Sequence, residues 1–284
     1  METAGPSKTV HGVEVPVFLY GTAWKEERTQ PLVETALAAG FRGIDTANQR
    51  KHYHEAAVGA AIERAFQRGE LTGEQLFLQT KYTYPEGQDE RLPYDPDADY
   101  PTQVRQSLEL SLAHLGVDRI DSYLLHGPRT RSGLSAADRE VWRAMEELQR
   151  EGRTRLIGVS NVTARQLALL CEFAEVTPSF VQNRCYARLG WDRDVREVCR
   201  NDGVVYQGFS LLTANRQELA SSEIRRIAAG HGKSVAQVAF RFALQLGMIC
   251  LTGTTDARHM REDLAVFTFQ LSSDEMKTIE RISG

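Results

Sequence analysis

The strongest constraint on this sequence is a regular alternation of short apolar runs with segments of helical periodicity. Eight runs are rich in β-branched and aromatic residues and have the length of buried strands: residues 17–22, 41–47, 76–81, 122–126, 156–160, 180–183, 204–210 and 248–252. Helical segments follow at 31–39, 54–68, 101–115, 136–150, 164–174, 192–200, 222–229 and 234–246. This order predicts parallel strands joined by right-handed crossovers, and eight such units are enough to close a barrel.

The ends of the helical segments carry residues that start and stop helices. Ser135, Thr163 and Ser234 are suited to cap helix N-termini, and Gly40 is suited to end a helix. We therefore predict an α/β fold in which residues 1–284 form a single (β/α)8 TIM barrel domain.

Three further segments complete the predicted architecture. A small hairpin at 9–15, turning at 11–12, is expected to plug the barrel floor. Two extra short helices are expected at the C-terminal end, at 257–267 and 273–282. The connection at 82–100 follows the third strand and is unusually long for a compact domain, which is typical of a functional loop.

Composition excludes several classes of protein. The 284 residues are 42% hydrophobic and 25% charged, with a formal net charge of −4, which is the balance of a soluble globular protein. No basic run and no apolar run of membrane-spanning length occurs, so we expect neither a nucleic-acid nor a membrane partner. The N-terminal residues lack an apolar segment, so we expect no secretory signal. The cysteines form no CxxC pair, so we expect no metal site and reduced thiols, which suit a cytoplasmic protein. We also expect a monomer.

Ionisable side chains stand at the ends of three consecutive predicted strands. Asp45, Lys81 and His126 follow stretches that are otherwise apolar. Singly, each has a structural interpretation, as a loop-capping carboxylate, a solvated strand terminus and a satisfied histidine. Together they would share the barrel mouth, because the carboxyl ends of barrel strands meet at the face where active sites lie. A carboxylate and an ammonium group placed there shift neighbouring pKa values, as catalysis requires.

Five motifs in a fixed order connect these residues to a known family. They are GFRGIDTA at 40–47, ExxVG at 55–59, FLQTK at 77–81, DSYLLHGP at 121–128 and IGVSN at 157–161. Together they resemble the signature strands of the aldo-keto reductases. The resemblance implies a barrel oxidoreductase that reduces an aldehyde or ketone with a nicotinamide cofactor, through an Asp-Tyr-Lys-His tetrad.

The tyrosine of that tetrad does not follow the usual spacing. The family places it five residues after the aspartate, where this chain has Arg50, and counting back from the glutamate motif gives His52. The loop between the two motifs is about two residues longer than usual, and Tyr53 is its only tyrosine. We therefore nominate Tyr53, with Tyr82 and Tyr84 as the competitors.

The resemblance also assigns roles within the tetrad. Tyr53 would protonate the carbonyl oxygen while hydride reaches the carbon, which is general acid catalysis. Lys81 would lower the pKa of the tyrosine, and Asp45 would keep the lysine charged and in place. His126 would donate a hydrogen bond to the same oxygen.

A groove for the cofactor is implied as well. Ser160, Asn161 and Gln182 carry donors and acceptors that suit the carboxamide, and Phe209 would stack on the nicotinamide ring. The complete set of implied cofactor residues is Gly21, Thr22, Asp45, Ser160, Asn161, Gln182, Phe209, Ser210, Leu212, Thr213, Thr254, Thr255, His259 and Asp263.

The adenosine end departs from the family pattern. Gly253 stands where the family has a phosphate-binding lysine, and His259 stands where it has an arginine. Asp263 replaces an asparagine that contacts the adenine in many members. Because fewer fixed cations should bind a phosphate less tightly, we expect NADP(H) as the cofactor and NAD(H) as a second one.

The expected partner is a small carbonyl compound. Trp24, His52, Tyr82 and Trp191 are the candidate walls of its pocket.

Two other functions stay open at this point. The shifted tyrosine and the altered phosphate site fit a non-catalytic nucleotide-binding regulatory module on the same fold. Lys81 could also be the Schiff-base nucleophile of a barrel aldolase, although Asp45 beside it would favour the charged amine.

Overall fold

Eight parallel strands close into a barrel in the computed structural model, which describes residues 6–282. Residues 1–5 and 283–284 of the predicted domain lie outside the described residues. The strands are β1 Ser7–Val10 and β2 Val13–Pro16 in an antiparallel hairpin, then β3 Phe18–Gly21, β4 Gly43–Asp45, β5 Phe77–Tyr82, β6 Ile120–Leu125, β7 Thr154–Ser160, β8 Phe180–Arg184, β9 Val205–Phe209 and β10 Ile249–Thr252 in the barrel. Each barrel strand pairs with the next, and β10 pairs with β3. The predicted (β/α)8 barrel is confirmed.

Helices surround the strands. They are α1 Thr29–Ala39, α2 Glu55–Gln67, α3 Tyr100–Leu115, α4 Ala136–Arg150, α5 Ala164–Phe173, α6 Arg193–Asp202, α7 Arg216–Leu219, α8 Ser222–His231, α9 Val235–Gln245, α10 Ala257–Leu264 and α11 Ser273–Glu280. Only the single-turn α7 was not expected from the sequence. Of the two helices predicted after the last strand, α10 packs against α1 and α9, and α11 contacts α8. Every helix within residues 6–282 is too short or too polar to span a lipid bilayer.

Local hydrogen bonds explain where the helices begin and end. Ser135, Thr163 and Ser234 each accept a hydrogen bond from the backbone N–H three residues later. The side chain at that later position accepts one from the backbone N–H of the cap residue. Gly40 ends α1 with a φ of 110°, a left-handed conformation that glycine adopts without a steric penalty.

The hairpin closes the bottom of the barrel, as predicted. Its turn residues His11 and Gly12 both have positive φ, 46° and 79°, as a type I′ hairpin turn requires. Val10, Val13 and Val15 are buried among inward-facing strand residues, namely Leu19, Phe77, Leu124, Leu156, Phe180, Val205, Ile249 and Leu251. Because side chains fill the floor, the carboxyl ends of the strands are left as the accessible face of the barrel.

Alternation along β5 decides which of its side chains reach the barrel interior. Phe77 belongs to the interior cluster, whereas Leu78 and Tyr82 belong to the core between strands and helices. By the same period of two, Lys81 points inward at the upper end of the strand, where it meets Asp45 of β4. Successive residues of β5 therefore face, in turn, the barrel interior and the layer between the strands and the helices.

Helix α2 packs so closely against α3 that only glycine fits at position 59. A Cβ on Gly59 would lie 1.9 Å from the backbone oxygen of His114, which cannot rotate away. We expect Gly59→Ala to lower the free energy of unfolding by about 1–3 kcal/mol in urea denaturation. Gly230→Ala in α8 is the matched control, because a Cβ there meets no atom within 4 Å and should stabilise by about 0.5–1 kcal/mol. Similar effects of the two changes would contradict this packing argument.

Candidate active site

A cavity of about 630 Å³ opens at the carboxyl ends of the barrel strands. Fourteen of the residues predicted for catalysis, cofactor binding or substrate binding line it: Gly21, Trp24, Asp45, His52, Tyr53, His126, Ser160, Asn161, Gln182, Phe209, Ser210, Leu212, Thr213 and Thr254. The barrel brings these residues together because parallel strands end at the same face.

A buried ion pair forms the base of this cavity. Lys81 Nζ lies 2.7 Å from both carboxylate oxygens of Asp45 and 2.7 Å from the backbone oxygen of Thr46. The Lys81 side chain has an exposed fraction of 0%. Burial lowers the pKa of Lys81, and the Asp45 carboxylate acts in the opposite direction.

Two amides complete the shell around Asp45. The Nε2 groups of Gln79 and Gln182 donate to Asp45 Oδ1 over 2.7 and 2.9 Å. Both amides also donate to Gln207 Oε1, at 2.8 and 2.9 Å. With Lys81 also donating, Asp45 only accepts hydrogen bonds, as an ionised carboxylate does.

Tyr53 lies beside this pair. Its ring centroid is 5.4 Å from Lys81 Nζ and 5.9 Å from the His126 ring. Burial and, to a lesser degree, Asp45 raise the pKa of Tyr53. The net shift is therefore upward and not downward as expected, because burial outweighs any lowering of the pKa by Lys81, whose ammonium group is engaged by Asp45.

The loop between Asp45 and Glu55, which is about two residues longer than usual, forms a tight turn that ends at Tyr53. The backbone oxygen of Gln49 accepts hydrogen bonds from the N–H groups of both His52 and Tyr53, at 3.0 and 2.9 Å. Asn48 anchors the start of the loop by donating from Nδ2 to the backbone oxygen of Ser107 over 2.8 Å. This turn brings Tyr53 into the cavity in spite of the unusual spacing.

The two competing tyrosines are directed elsewhere. The Tyr82 hydroxyl donates to Gln103 Oε1 over 3.1 Å, and the Tyr84 hydroxyl donates to Asp138 Oδ1 over 3.0 Å. Both side chains are buried between strands and helices. Neither hydroxyl can serve a substrate in the cavity.

His126 presents a neutral imidazole to the cavity. Its Nδ1 lies 2.7 Å from Thr83 Oγ1. Burial first, and the nearby groups Lys81 and His52 next, lower the pKa of His126 to about 3. The ring therefore stays uncharged at neutral pH.

The amide residues of the predicted nicotinamide groove hold one another in place. Ser160 Oγ donates to the backbone oxygen of Gln182 over 2.6 Å. Asn161, with a φ of 55°, donates from Nδ2 to the backbone oxygen of His126 over 2.8 Å. Because these donors are engaged within the protein, the amide oxygens of Asn161 and Gln182 remain to accept from a ligand.

Thr22, predicted for the cofactor, and Tyr82 and Trp191, predicted for the substrate pocket, do not face the cavity. Thr22 is buried, and its hydroxyl donates to the Asp45 backbone oxygen over 3.1 Å. Tyr82, expected as a pocket wall, lies on the outward side of β5. Trp191 is buried against Phe242 and donates from Nε1 to a backbone oxygen over 3.0 Å. Thr22 is thus a support for Asp45, and the other two belong to the core.

The predicted adenosine-binding residues lie beyond this cavity. Thr255 and His259 are exposed around the start of α10, where Asp256 accepts hydrogen bonds from the backbone N–H groups of Arg258 and His259. Asp263 is buried instead, and its carboxyl accepts a hydrogen bond from Thr252 Oγ1 over 2.8 Å.

Asp263 makes the stability of the protein depend on pH. Burial raises its pKa to about 7, whereas the unfolded value is about 4. Between these pH values the folded state holds a proton that the unfolded state has lost, so stability falls as pH rises. We expect Asp263→Asn to raise the free energy of unfolding by about 2 kcal/mol at pH 8, with a much smaller gain at pH 4. Urea denaturation at both pH values checks this, and equal gains would contradict it.

The sequence analysis missed a lysine in the cavity wall. Lys25 is 7% exposed, lines the cavity and donates from Nζ to the backbone oxygen of Gly253. A Cβ on Gly253 would lie 3.4 Å from that Nζ, so the ammonium occupies the space beside the missing side chain. Trp24 and Glu26 have positive φ, 61° and 49°, on either side of it. This backbone turns Lys25 inward while its neighbours stay exposed.

The long segment at 82–100 supports the site from outside the cavity. The Tyr94 hydroxyl is buried and donates to the backbone oxygen of Thr83 over 2.6 Å. Thr83 in turn contacts His126 through its hydroxyl. Within residues 6–282 this segment therefore positions a cavity residue and does not line the cavity itself.

Comparisons with known proteins agree with this architecture. The model of the Aldo/keto reductase family matches residues 18–283. The chain is 33% identical over 278 residues to the oxidoreductase YtbE of Bacillus subtilis (strain 168), covering 97% of this chain and 92% of that one. It is 31% identical over 279 residues to glyoxal reductase of the same strain, covering 97% and 92%. The solved structure of the aldose reductase from Schistosoma japonicum has a TM-score of 0.84 and 25% identity, covering 98% of this chain and 92% of that one. The chain therefore belongs to the aldo/keto reductase family of oxidoreductases.

Proposed function

We propose that this protein reduces aldehydes or ketones to alcohols with hydride from NADP(H), and that it also accepts NAD(H). The observation that carries the proposal is the placement of Tyr53 and His126 together in the cavity wall, beside the buried pair of Asp45 and Lys81. Two neutral side chains with polar ends can then approach one carbonyl oxygen from different sides.

The residues present fit a nicotinamide cofactor. The amide oxygens of Asn161 and Gln182 can accept hydrogen bonds from the carboxamide, and the Phe209 ring offers a flat apolar surface for the nicotinamide. Lys25 supplies a fixed cation for a phosphate group at the end of β3. When bound, the cofactor supplies the hydride that reaches the carbonyl carbon.

The protein's own contribution is a proton and a polar environment. A phenol holds its proton at neutral pH, and burial raises the pKa of Tyr53 further. Tyr53 can therefore give this proton from Oη to the carbonyl oxygen as negative charge develops there. His126 is neutral and, with the proton on Nε2, donates a hydrogen bond to the same oxygen. Lys81, 5.4 Å from the Tyr53 ring centroid, stabilises the negative charge left on the phenol oxygen.

The arrangement around Lys81 opposes the aldolase alternative. Its Nζ makes three hydrogen bonds of 2.7 Å to acceptors on Asp45 and Thr46. An amine that donates three hydrogen bonds is a charged ammonium group, and it has no lone pair for attack on a carbonyl carbon.

The deciding experiment is a cofactor titration followed by turnover. Purified protein is titrated with NADPH and with NADH while tryptophan fluorescence is recorded, since Trp24 lines the cavity. Then 4-nitrobenzaldehyde and a panel of other carbonyl compounds are added, and the absorbance of the reduced cofactor is followed. Tight binding with turnover supports the proposal. Binding without turnover across the panel would instead favour the non-catalytic regulatory module, and the absence of binding would overturn both functions.

Lys25 should contribute strongly to cofactor affinity. We expect Lys25→Met to raise the Kd of both NADPH and NADH by about tenfold to a hundredfold, because a charge-assisted hydrogen bond to a phosphate is lost. Fluorescence titration measures both constants. Lys8→Met, in the hairpin at the opposite end of the barrel, is the control and should leave both unchanged. A Kd for Lys25→Met equal to that of the unmodified protein would remove Lys25 from the cofactor site.

A further inference from the structure

His52 occupies the cavity wall in a single tautomer that its neighbours fix. Gln49 Nε2 lies 2.6 Å from the backbone oxygen of Gly87, which can only accept, so the amide nitrogen of Gln49 faces Gly87. The amide oxygen then faces His52 Nδ1 at 2.9 Å, and an amide oxygen also only accepts. His52 Nδ1 therefore carries the hydrogen, and Nε2 of the neutral ring is an acceptor.

The acceptor atom belongs to a side chain that lines the cavity, and it is accessible. Within residues 6–282, His52 Nε2 has no hydrogen-bond partner, and it is not among the buried polar atoms that lack one. The ring is held in place by Trp24, whose ring centroid lies 3.8 Å away and whose backbone N–H donates to the His52 backbone oxygen over 2.7 Å. Burial and nearby Lys51 lower the pKa of His52, against an opposite effect of Asp89, so the ring is neutral at neutral pH.

His52 Nε2 cannot form a hydrogen bond with the carbonyl oxygen of a substrate, because both atoms are acceptors. It lies next to the residues that would bind that oxygen, because His52 precedes Tyr53 in the chain and lines the same cavity as His126. When a bound substrate excludes water from the cavity, an acceptor in the wall that the substrate leaves unpaired reduces the affinity for that substrate. The wall therefore favours a substrate that brings a hydrogen-bond donor near its carbonyl group.

We propose that His52 Nε2 accepts a hydrogen bond from a hydroxyl group of the substrate, so that the preferred substrates are hydroxylated aldehydes and ketones. This inference rests on the proposed reductase function and adds the substrate class to it. His52 is a specificity-determining residue, because it recognises a part of the substrate that does not react.

The test compares substrates that differ by one hydroxyl group. The values of kcat/KM are measured for propanal, 2-hydroxypropanal and 3-hydroxypropanal with the unmodified protein and with His52→Phe, which keeps a flat ring against Trp24 but removes the acceptor. We expect the preference for at least one hydroxylated aldehyde over propanal to fall by about tenfold in the variant, the effect of one hydrogen bond. Using the ratio cancels any general loss of activity and the intrinsic reactivity of each aldehyde.

The matched control is His54→Phe in the same loop. His54 lies outside the cavity, and its variant should keep the ratios of the unmodified protein. If His52→Phe leaves both ratios unchanged, or if His54→Phe lowers them equally, the inference is overturned.

A second measurement does not depend on turnover. Nitrogen-15 NMR of the ring nitrogens distinguishes the two neutral tautomers, and we expect hydrogen on Nδ1 of His52. Hydrogen on Nε2 would overturn the inference even in an active reductase. If no carbonyl compound is reduced, the proposed function fails separately, while the tautomer still decides whether His52 is an acceptor.

Discussion

Replacing Tyr53 with phenylalanine is expected to lower kcat by about 10²–10⁴-fold, the contribution of a positioned general acid. The ring stays in its place between Lys81 and His126, and only the proton donor is lost. Binding of NADPH should remain within about twofold of the unmodified protein, because the hydroxyl acts on the substrate. Steady-state reduction of 4-nitrobenzaldehyde measures the first quantity, and fluorescence titration measures the second.

Tyr82→Phe provides the control for this experiment. Its hydroxyl donates to Gln103 behind the barrel wall, so its loss should cost about 1 kcal/mol of stability and leave kcat unchanged. A variant of Tyr53 that kept nearly full turnover would show that another group supplies the proton, and the assignment of the tetrad would then be wrong.

Replacing Lys81 with methionine is expected to lower the free energy of unfolding by about 3–5 kcal/mol. The change removes the partner of a carboxylate whose side chain is only 5% exposed, and leaves Asp45 charged without a cation beside it. Gln79 and Gln182 continue to donate to Asp45, so part of the interaction is retained. Urea denaturation measures the loss, and circular dichroism in water checks that the variant is folded.

Two comparisons separate burial from simple charge removal. Adding Asp45→Asn to Lys81→Met removes the unpaired charge and should recover part of the lost stability. Arg68→Met breaks an exposed pair with Glu70, with side chains 44% and 41% exposed, and should cost no more than about 1 kcal/mol. If Lys81→Met costs as little as Arg68→Met, the buried pair does not stabilise the fold in the way its geometry indicates.

The fold was predictable because its signal repeats. Eight apolar runs alternating with helical segments leave few architectures other than a closed parallel barrel, and caps such as Ser135 and Thr163 locate helix ends within a few residues. The ionisable residues at the strand ends were also predictable, because residues such as Asp45 and His126 stand out at the ends of apolar runs. The one-turn helix α7 was missed because four residues carry no periodicity to recognise.

Details that depend on backbone direction were not predictable. Period-two alternation places Lys81 inside the barrel and Tyr82 outside it, but the sequence alone did not exclude Tyr82 from the pocket. Lys25 was missed because its inward direction depends on positive φ at Trp24 and Glu26. Neither tryptophan nor glutamate is a residue type that indicates positive φ in a sequence. The pKa of Tyr53 was predicted to be lowered, whereas it is raised. The sequence could not indicate this, because the burial that raises the pKa is a property of the assembled structure.

The pairing of β10 with β3 also constrains how the chain reaches its final state. Cys250 lies opposite Phe18, so the first and last strands of the barrel meet across almost the whole length of the polypeptide. During synthesis on the ribosome, β3 has an unpaired edge until β10 has emerged, and the barrel cannot close earlier. Such an edge can recruit strands of other chains, and contacts so distant in sequence form slowly. Amino-acid changes that slow the release or docking of β10 should therefore increase aggregation of newly made protein, even where the finished barrel is no less stable.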